Sequence, residues 1–87
     1  MKVIMQPIEI LSRFSKEGVP YPLKFKIEEP GSGPSVVKVD HILFRSEEKL
    51  AGNRMIMFRC QGMINNTLKV FEIKYETATC RWFLYKM

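Results

Sequence analysis

From Ile56 to Leu84 the chain reads IMFRCQGMINNTLKVFEIKYETATCRWFL, and the spacing of apolar residues around Asn65-Asn66 decides the fold. Adjacent asparagines tolerate the positive φ angles that a two-residue type I′ hairpin requires. A turn centred on them pairs Ile64 with Thr67, Cys60 with Phe71, Phe58 with Ile73 and Ile56 with Tyr75. A second loop over Glu76-Thr77-Ala78-Thr79 then pairs Tyr75 with Cys80, Ile73 with Trp82 and Phe71 with Leu84. Both hairpins place core-type residues on one face. Sliding either by one residue would send Trp82 or Phe71 to the opposite face, because side chains alternate along a strand. On that opposite face Arg59 falls across from Glu72, a cross-strand ion pair worth ~0.2–1 kcal/mol. The stretch is therefore a three-stranded antiparallel meander with its inner face committed to core.

Upstream, the same alternation continues. Pro7 to Phe14, with Ile8, Ile10 and Leu11, reads as a first strand, and the cluster Ser15 to Pro22 breaks it. Leu23, Phe25 and Ile27 alternate with Lys24, Lys26 and Glu28 as in a half-buried strand. Pro30 to Ser35 is a Gly/Pro/Ser turn, and Val36 to Arg45 is a strand whose alternation changes phase near Asp40-His41, as at a bulge or bend. Ser46 to Asn53 is too short for more than one helical turn before a glycine stop at Gly52, so a loop with at most a turn of helix is expected. Six short strands separated by turn signals fit a small half-open barrel, SH3-like in the first instance, with an OB-like barrel as the alternative. The OB form usually includes a helix, for which this chain has little room.

Composition restricts the class further. At 87 residues the expectation is one domain, residues 1–87, burying roughly 60–65% of its unfolded surface. Hydrophobic residues make up 46% and charged residues 26%, proportions of a folded domain rather than a disordered chain. No apolar run approaches the ~18 residues of a membrane helix, and the first residues lack the apolar stretch and cleavage site of a signal peptide. A cytoplasmic location without membrane contact is expected. In the register above Cys60 and Cys80 lie on the outer strands of the meander, ~16 Å apart, too far to bridge and expected as free buried thiols. The net charge of +5 permits an anionic partner and serves solubility equally well.

Catalytic and cofactor signatures are weak. His41 is the one histidine, and Asp40 beside it would point to the opposite side of a strand, which a catalytic pair cannot use unless the bulge there rearranges them. Asp40, His41, Cys60 and Cys80 lack the local spacing of zinc ligands, so no metal is expected. Gly31-Ser32-Gly33 lies between strands and opens no helix, which makes it a turn rather than a phosphate cradle. The expectation is a protein that is not an enzyme and holds no cofactor.

The outer face of the meander carries the more specific suggestion. Met57, Arg59, Gln61, Val70, Glu72, Lys74, Arg81, Phe83 and Tyr85 share it, with Lys86 alongside. Phe83 and Tyr85 flanked by Arg59, Lys74, Arg81 and Lys86 combine ring platforms with phosphate-neutralising charge, as in sheets that bind single-stranded nucleic acid. The competing expectation is that the N-terminal strand, a curled part of the sheet or a second subunit covers Met57, Val70, Phe83 and Tyr85, since so large an exposed apolar patch would be unusual. A binding or protein-interaction module, homodimeric in one form, comes first; nucleic-acid binding is the alternative; an enzyme using His41 is third.

The pattern Val70 to Glu76 followed by Cys80-Arg81-Trp82-Phe83-Leu84, preceded by Asn53-Arg54-Met55 and Phe58-Arg59-Cys60, resembles that of small uncharacterised bacterial all-β proteins. Some similar domains accompany DNA polymerases of the Y family. The likeness spans Tyr21 to Met87 and implies a bacterial, cytoplasmic protein with a connection to nucleic acid; it carries over no site residue.

Overall fold

The computed structural model describes residues 1–29, 31 and 33–87, and of Glu29 the backbone alone. Its strands are β1 (Val3–Pro7), β2 (Ile10–Phe14), β3 (Pro20–Glu29), β4 (Gly33–Lys38), β5 (His41–Leu50), β6 (Asn53–Ile64), β7 (Thr67–Glu76) and β8 (Arg81–Lys86). They form two antiparallel sheets, one ordered β1-β8-β7-β6-β5 and the other β2-β3-β4, and the described residues form no closed barrel.

Eight strands stand where six were expected because two segments bend and change sheets. At the first bend the Ile8 amide still donates to Trp82 O in the large sheet, while Glu9 O accepts from the Lys26 amide of the small one. At the second, the Val39 amide donates to Leu23 O and the Asp40 amide to Gln61 O. The phase change read near Asp40-His41 is this crossing; the bulge itself lies farther on, between Ile42 and Phe44. Each corner thus keeps its backbone groups bonded while the chain turns from one sheet to the other.

The β6–β7 hairpin has the expected register throughout, from Ile64↔Thr67 to Ile56↔Tyr75, and Asn65 and Asn66 sit at φ 50° and 60°. The next hairpin corrects the expectation by two residues. Tyr75 pairs with Trp82 and Ile73 with Leu84, so the loop is Thr77-Ala78-Thr79-Cys80. A two-residue slip preserves the faces, which is why the apolar pattern could not detect it. The cause is Glu76: its carboxylate accepts from Asn53 Nδ2 at 2.9 Å and from the Thr79 hydroxyl and lies 3.6 Å from Arg81, while its carbonyl accepts from the Cys80 amide. Cys80 consequently sits in the loop at φ 58° and is exposed, not buried as expected.

Ser46 to Leu50, expected as loop, continues β5, and the turn is Ala51-Gly52 at φ 50° and 82°. Sheet membership, rather than the local pattern, makes this segment a strand, since β6 supplies a paired partner from Gln61 to Asn53. The turn expected over Pro30 to Ser35 includes Pro30 and Ser32, which lie outside the described residues; Gly33 to Ser35 already belong to β4.

The two sheets enclose Phe25 and Val37 from the small sheet and Ile56, Phe58, Cys60, Ile64, Phe71, Ile73, Tyr75, Trp82 and Leu84 from the large one. Phe25 meets Phe71 edge-on at 5.4 Å between ring centroids, and Trp82 lies 4.8 Å from Tyr75 and 5.7 Å from Phe58. Gly62 is where β6 and the end of β4 approach most closely: a Cβ there would overlap Lys38 O and stand 3.3 Å from Phe71 Cε1. Glycine within a strand marks such an approach of two backbones.

Candidate functional site

Register places Arg59 on β6, Lys74 on β7, and Arg81, Phe83, Tyr85 and Lys86 on β8, all at the outer face of the large sheet. A bulge between Glu72 and Ile73 of the β7–β8 ladder brings Lys86 opposite Glu72, so Tyr85 and Lys86 lie together there. The six residues singled out from the sequence therefore share one face, with Arg59 level with Lys86 at one end of it and Arg81 at the other. Among the described residues neither β1 nor another layer covers them, since β1 extends the same sheet beside β8.

Each of the first three cations has a carboxylate. Arg59 Nε donates to Glu72 Oε2 at 2.9 Å, Lys74 Nζ to Glu48 Oε2 at 2.8 Å, and Arg81 lies 3.6 Å from Glu76. Lys74 is 7% exposed and Glu72 4%, so these two charges are stable only because they are paired. Glu48 belongs to β5, and Lys74 reaches it past Met57 and Met55 of the intervening strand.

The same cations cover the rings. Lys74 Nζ stands 3.7 Å from the Tyr85 centroid and Lys86 Nζ 5.0 Å; Arg81 lies 5.2 Å from Phe83, and Arg59 5.7 Å from Phe44. Such contacts contribute about 0.5–1 kcal/mol each near a surface. Phe83 is only 7% exposed although the described residues put no layer above it. What covers Met57 and Phe83 is the long side chains of the sheet itself, while Val70 on the same face stays exposed. Glu48 and Phe44 complete this layer, and no local signal in the sequence marks them; only the pairing of β5 with β6 brings them in.

His41 is exposed at the start of β5, opposite Gln61, far in the chain topology from the Cys80 loop and on the other face from Cys60. Among the described residues no three His, Cys, Asp or Glu side chains gather as metal ligands. Nor is any helix there long and apolar enough to cross a membrane.

At the loop end of the sandwich is a cleft of about 460 Å³ between β2 and the β7–β8 hairpin, with Phe14, Tyr75, Cys80 and Trp82 in its wall. Phe14 meets Tyr75 edge-on at 5.7 Å. The Cys80 thiol, in contact with the Tyr75 phenol, pushes that phenol above its ordinary range, and burial adds to the shift.

The sheet edges differ in a way that matters for partners. β1 spans Val3–Pro7, carries a register shift with Met5 at φ 48°, and ends in proline, three devices that block addition of a strand. β5 spans His41–Leu50 and holds Ile42, Leu43, Phe44 and Leu50 at 38, 50, 51 and 71% exposure. Its two faces are polar in the second half: Arg45, Glu47 and Lys49 on the inner side, Ser46 and Glu48 on the outer. Arg54 Nη2 donates to Glu47 at 2.6 Å, and that hydrogen bond together with the guanidinium charge holds the Glu47 carboxyl below the usual carboxylate range.

No protein-family model, curated protein or solved structure matches this chain.

Proposed function

We propose that this domain is a non-enzymatic protein-interaction module that receives a partner strand along the free edge of β5. The observation carrying this reading is the contrast between the two ends of the five-stranded sheet: a short, bulged, proline-terminated β1 and a long β5 with exposed Ile42, Leu43 and Phe44. A free edge offers backbone donors and acceptors to an extended segment, and alternate side chains then select it. The barrel class belongs to the same proposal. Bent segments at Ile8-Glu9 and Val39-Asp40 that bond into both sheets support a half-open SH3-like arrangement over the OB-like one. The exposed free thiol of Cys80 favours a reducing, cytoplasmic setting.

Nucleic-acid binding through Arg59, Lys74, Arg81, Phe83, Tyr85 and Lys86 is the second proposal, and the shared face supports it, as does the resemblance to domains that accompany Y-family polymerases. The ion pairs weigh against it: cations engaged with Glu72, Glu48 and Glu76 have little charge left for phosphates, and ring faces under cations are closed to bases.

Displayed ten-residue peptides should be selected in parallel on the wild-type protein and on a Leu43→Asp/Phe44→Asp variant. The edge reading expects strand-forming peptides enriched on the wild type alone; equal enrichment on both, or none, contradicts it. A labelled single-stranded oligonucleotide at low salt supplies the other arm. Binding that weakens steeply with salt and is lost in Arg81→Ala/Lys86→Ala would instead favour nucleic acid.

A further inference from the structure

We infer that the strand received by β5 is β5 of a second copy, paired antiparallel about a two-fold axis at Ser46. This rests on the reading of β5 as a docking edge and goes further by naming the partner and the register.

The bulge between Ile42 and Phe44 leaves Phe44 to Leu50 as the regular stretch of the edge. Residues directly opposite each other in an antiparallel pair share a face. A two-fold axis between two residues would oppose residues of different faces, so the axis must pass through one residue. At Arg45, Glu47, Glu48 or Lys49 it would set that charge against itself. At Ser46 it sets serine against serine, Arg45 against Glu47 of the second copy, Glu47 against Arg45 of the second copy, and Phe44 against Glu48. Of the residues from Arg45 to Lys49, Ser46 alone permits a register with no like-charge pair; axes at Phe44 and Leu50 avoid one too, but the first pairs through the bulge and the second runs past the end of β5 into the Ala51-Gly52 turn.

Both members of the complementary pair are on the inner face of the sheet, across from Phe58 and Ile56. Glu47 is already 2.6 Å from Arg54 on β6, and Arg45 lies 3.9 Å from it within the strand. Association places a guanidinium of the second copy on its open side, so each Glu47 carboxylate stands between cations of two chains. On the outer face Phe44, half exposed in the single chain, lies over the stem of Glu48, whose carboxylate is held by Lys74. The two five-stranded sheets become continuous through β5, and an isologous contact of this kind uses up the β5 edge of both copies, leaving the short, bulged β1 as the outer edge on each side. The backbone ladder and the covering of Phe44 by the Glu48 stem provide attraction; the charges select the register among the axes from Arg45 to Lys49.

Sedimentation equilibrium in reductant, with Cys80→Ser in every variant to exclude disulfide-linked pairs, tests the inference. The wild-type mass should rise with concentration from 10.2 kDa toward twice that value. Arg45→Glu alone and Glu47→Arg alone should each weaken association by about tenfold or more, because each creates like-charge pairs in the desolvating edge. An equimolar mixture of the two variants should associate again, and Arg45→Glu/Glu47→Arg in one chain should recover the wild-type behaviour. Recovery in the mixture also shows that both variants are folded. A wild-type mass that stays monomeric to the solubility limit, or association indifferent to the single reversals, overturns the inference. If association fails while displayed peptides still enrich on β5, the second copy is wrong and the docking edge survives; if both fail, the edge reading falls as well.

Discussion

Gly62→Ala should lower stability by about 2–4 kcal/mol and the melting temperature by roughly 10–25 °C in a domain of this size. The added methyl would overlap the carbonyl oxygen of Lys38, a backbone atom that no rotamer change can move, and would crowd Phe71 at 3.3 Å. Relief requires the end of β4 to withdraw from β6. That strand leads directly into the Val39-Asp40 corner, whose bonds to Leu23 and Gln61 tie the small sheet to the large one. The loss is therefore spread over a joint between sheets. Met63→Ala, one residue on and 49% exposed, should cost far less. Thermal unfolding followed by circular dichroism reads both; a Gly62→Ala protein melting within a few degrees of the wild type would mean that β4 does not approach β6 as described.

The second large effect is alkaline. Cys60 is fully buried, with its thiol directed to Phe58 O at 3.7 Å, and burial first, then the nearby Glu72 charge, pushes its pKa up to about 12 from an ordinary 9.0. A group whose pKa is raised by folding leaves stability intact below its unfolded pKa and removes it as pH climbs from there to the folded value. Well inside that window each pH unit costs ~1.4 kcal/mol, and with the unfolded thiol already half ionised at its lower end about 2.3 kcal/mol should be lost between pH 9 and pH 11 from this thiol. Urea unfolding across that range should show the slope in the wild type and a shallower one in Cys60→Ala, with lysine and tyrosine contributions common to both. At neutral pH a thiol reagent should modify Cys80 in the folded protein and reach Cys60 only on unfolding. Equal slopes, or rapid double labelling, would place Cys60 outside the core.

Legibility from sequence followed burial. Where one face of a strand is apolar and the turn is chemically marked, as at Asn65-Asn66, pairing was readable residue by residue, down to Arg59 opposite Glu72. The β7–β8 register was readable only to within two residues, because alternation has period two and the loop is set by the Glu76 carboxylate rather than by turn residues. β5 was not readable beyond Arg45. An edge strand exposed on both faces has no alternation to show, and alanine at a left-handed turn position gives no hairpin signal. Alternation alone places the residues of the outer face together, yet their charge balance does not show in it for the same reason, since Glu48 and Phe44 enter from β5. The segment that the pattern could not place is the one on which the functional reading now stands.

Amide exchange along β5 tests that reading most directly. In an antiparallel edge strand alternate amides bond to the neighbouring strand and the rest face outward. Amides from Phe44 to Glu48 that do not bond to β6 should exchange rapidly in dilute protein and become protected as concentration rises, while those around Asn65-Asn66 stay unchanged. Outward amides that exchange equally fast at every concentration, and remain so when selected peptide is added, would contradict the assignment of β5 as the docking edge.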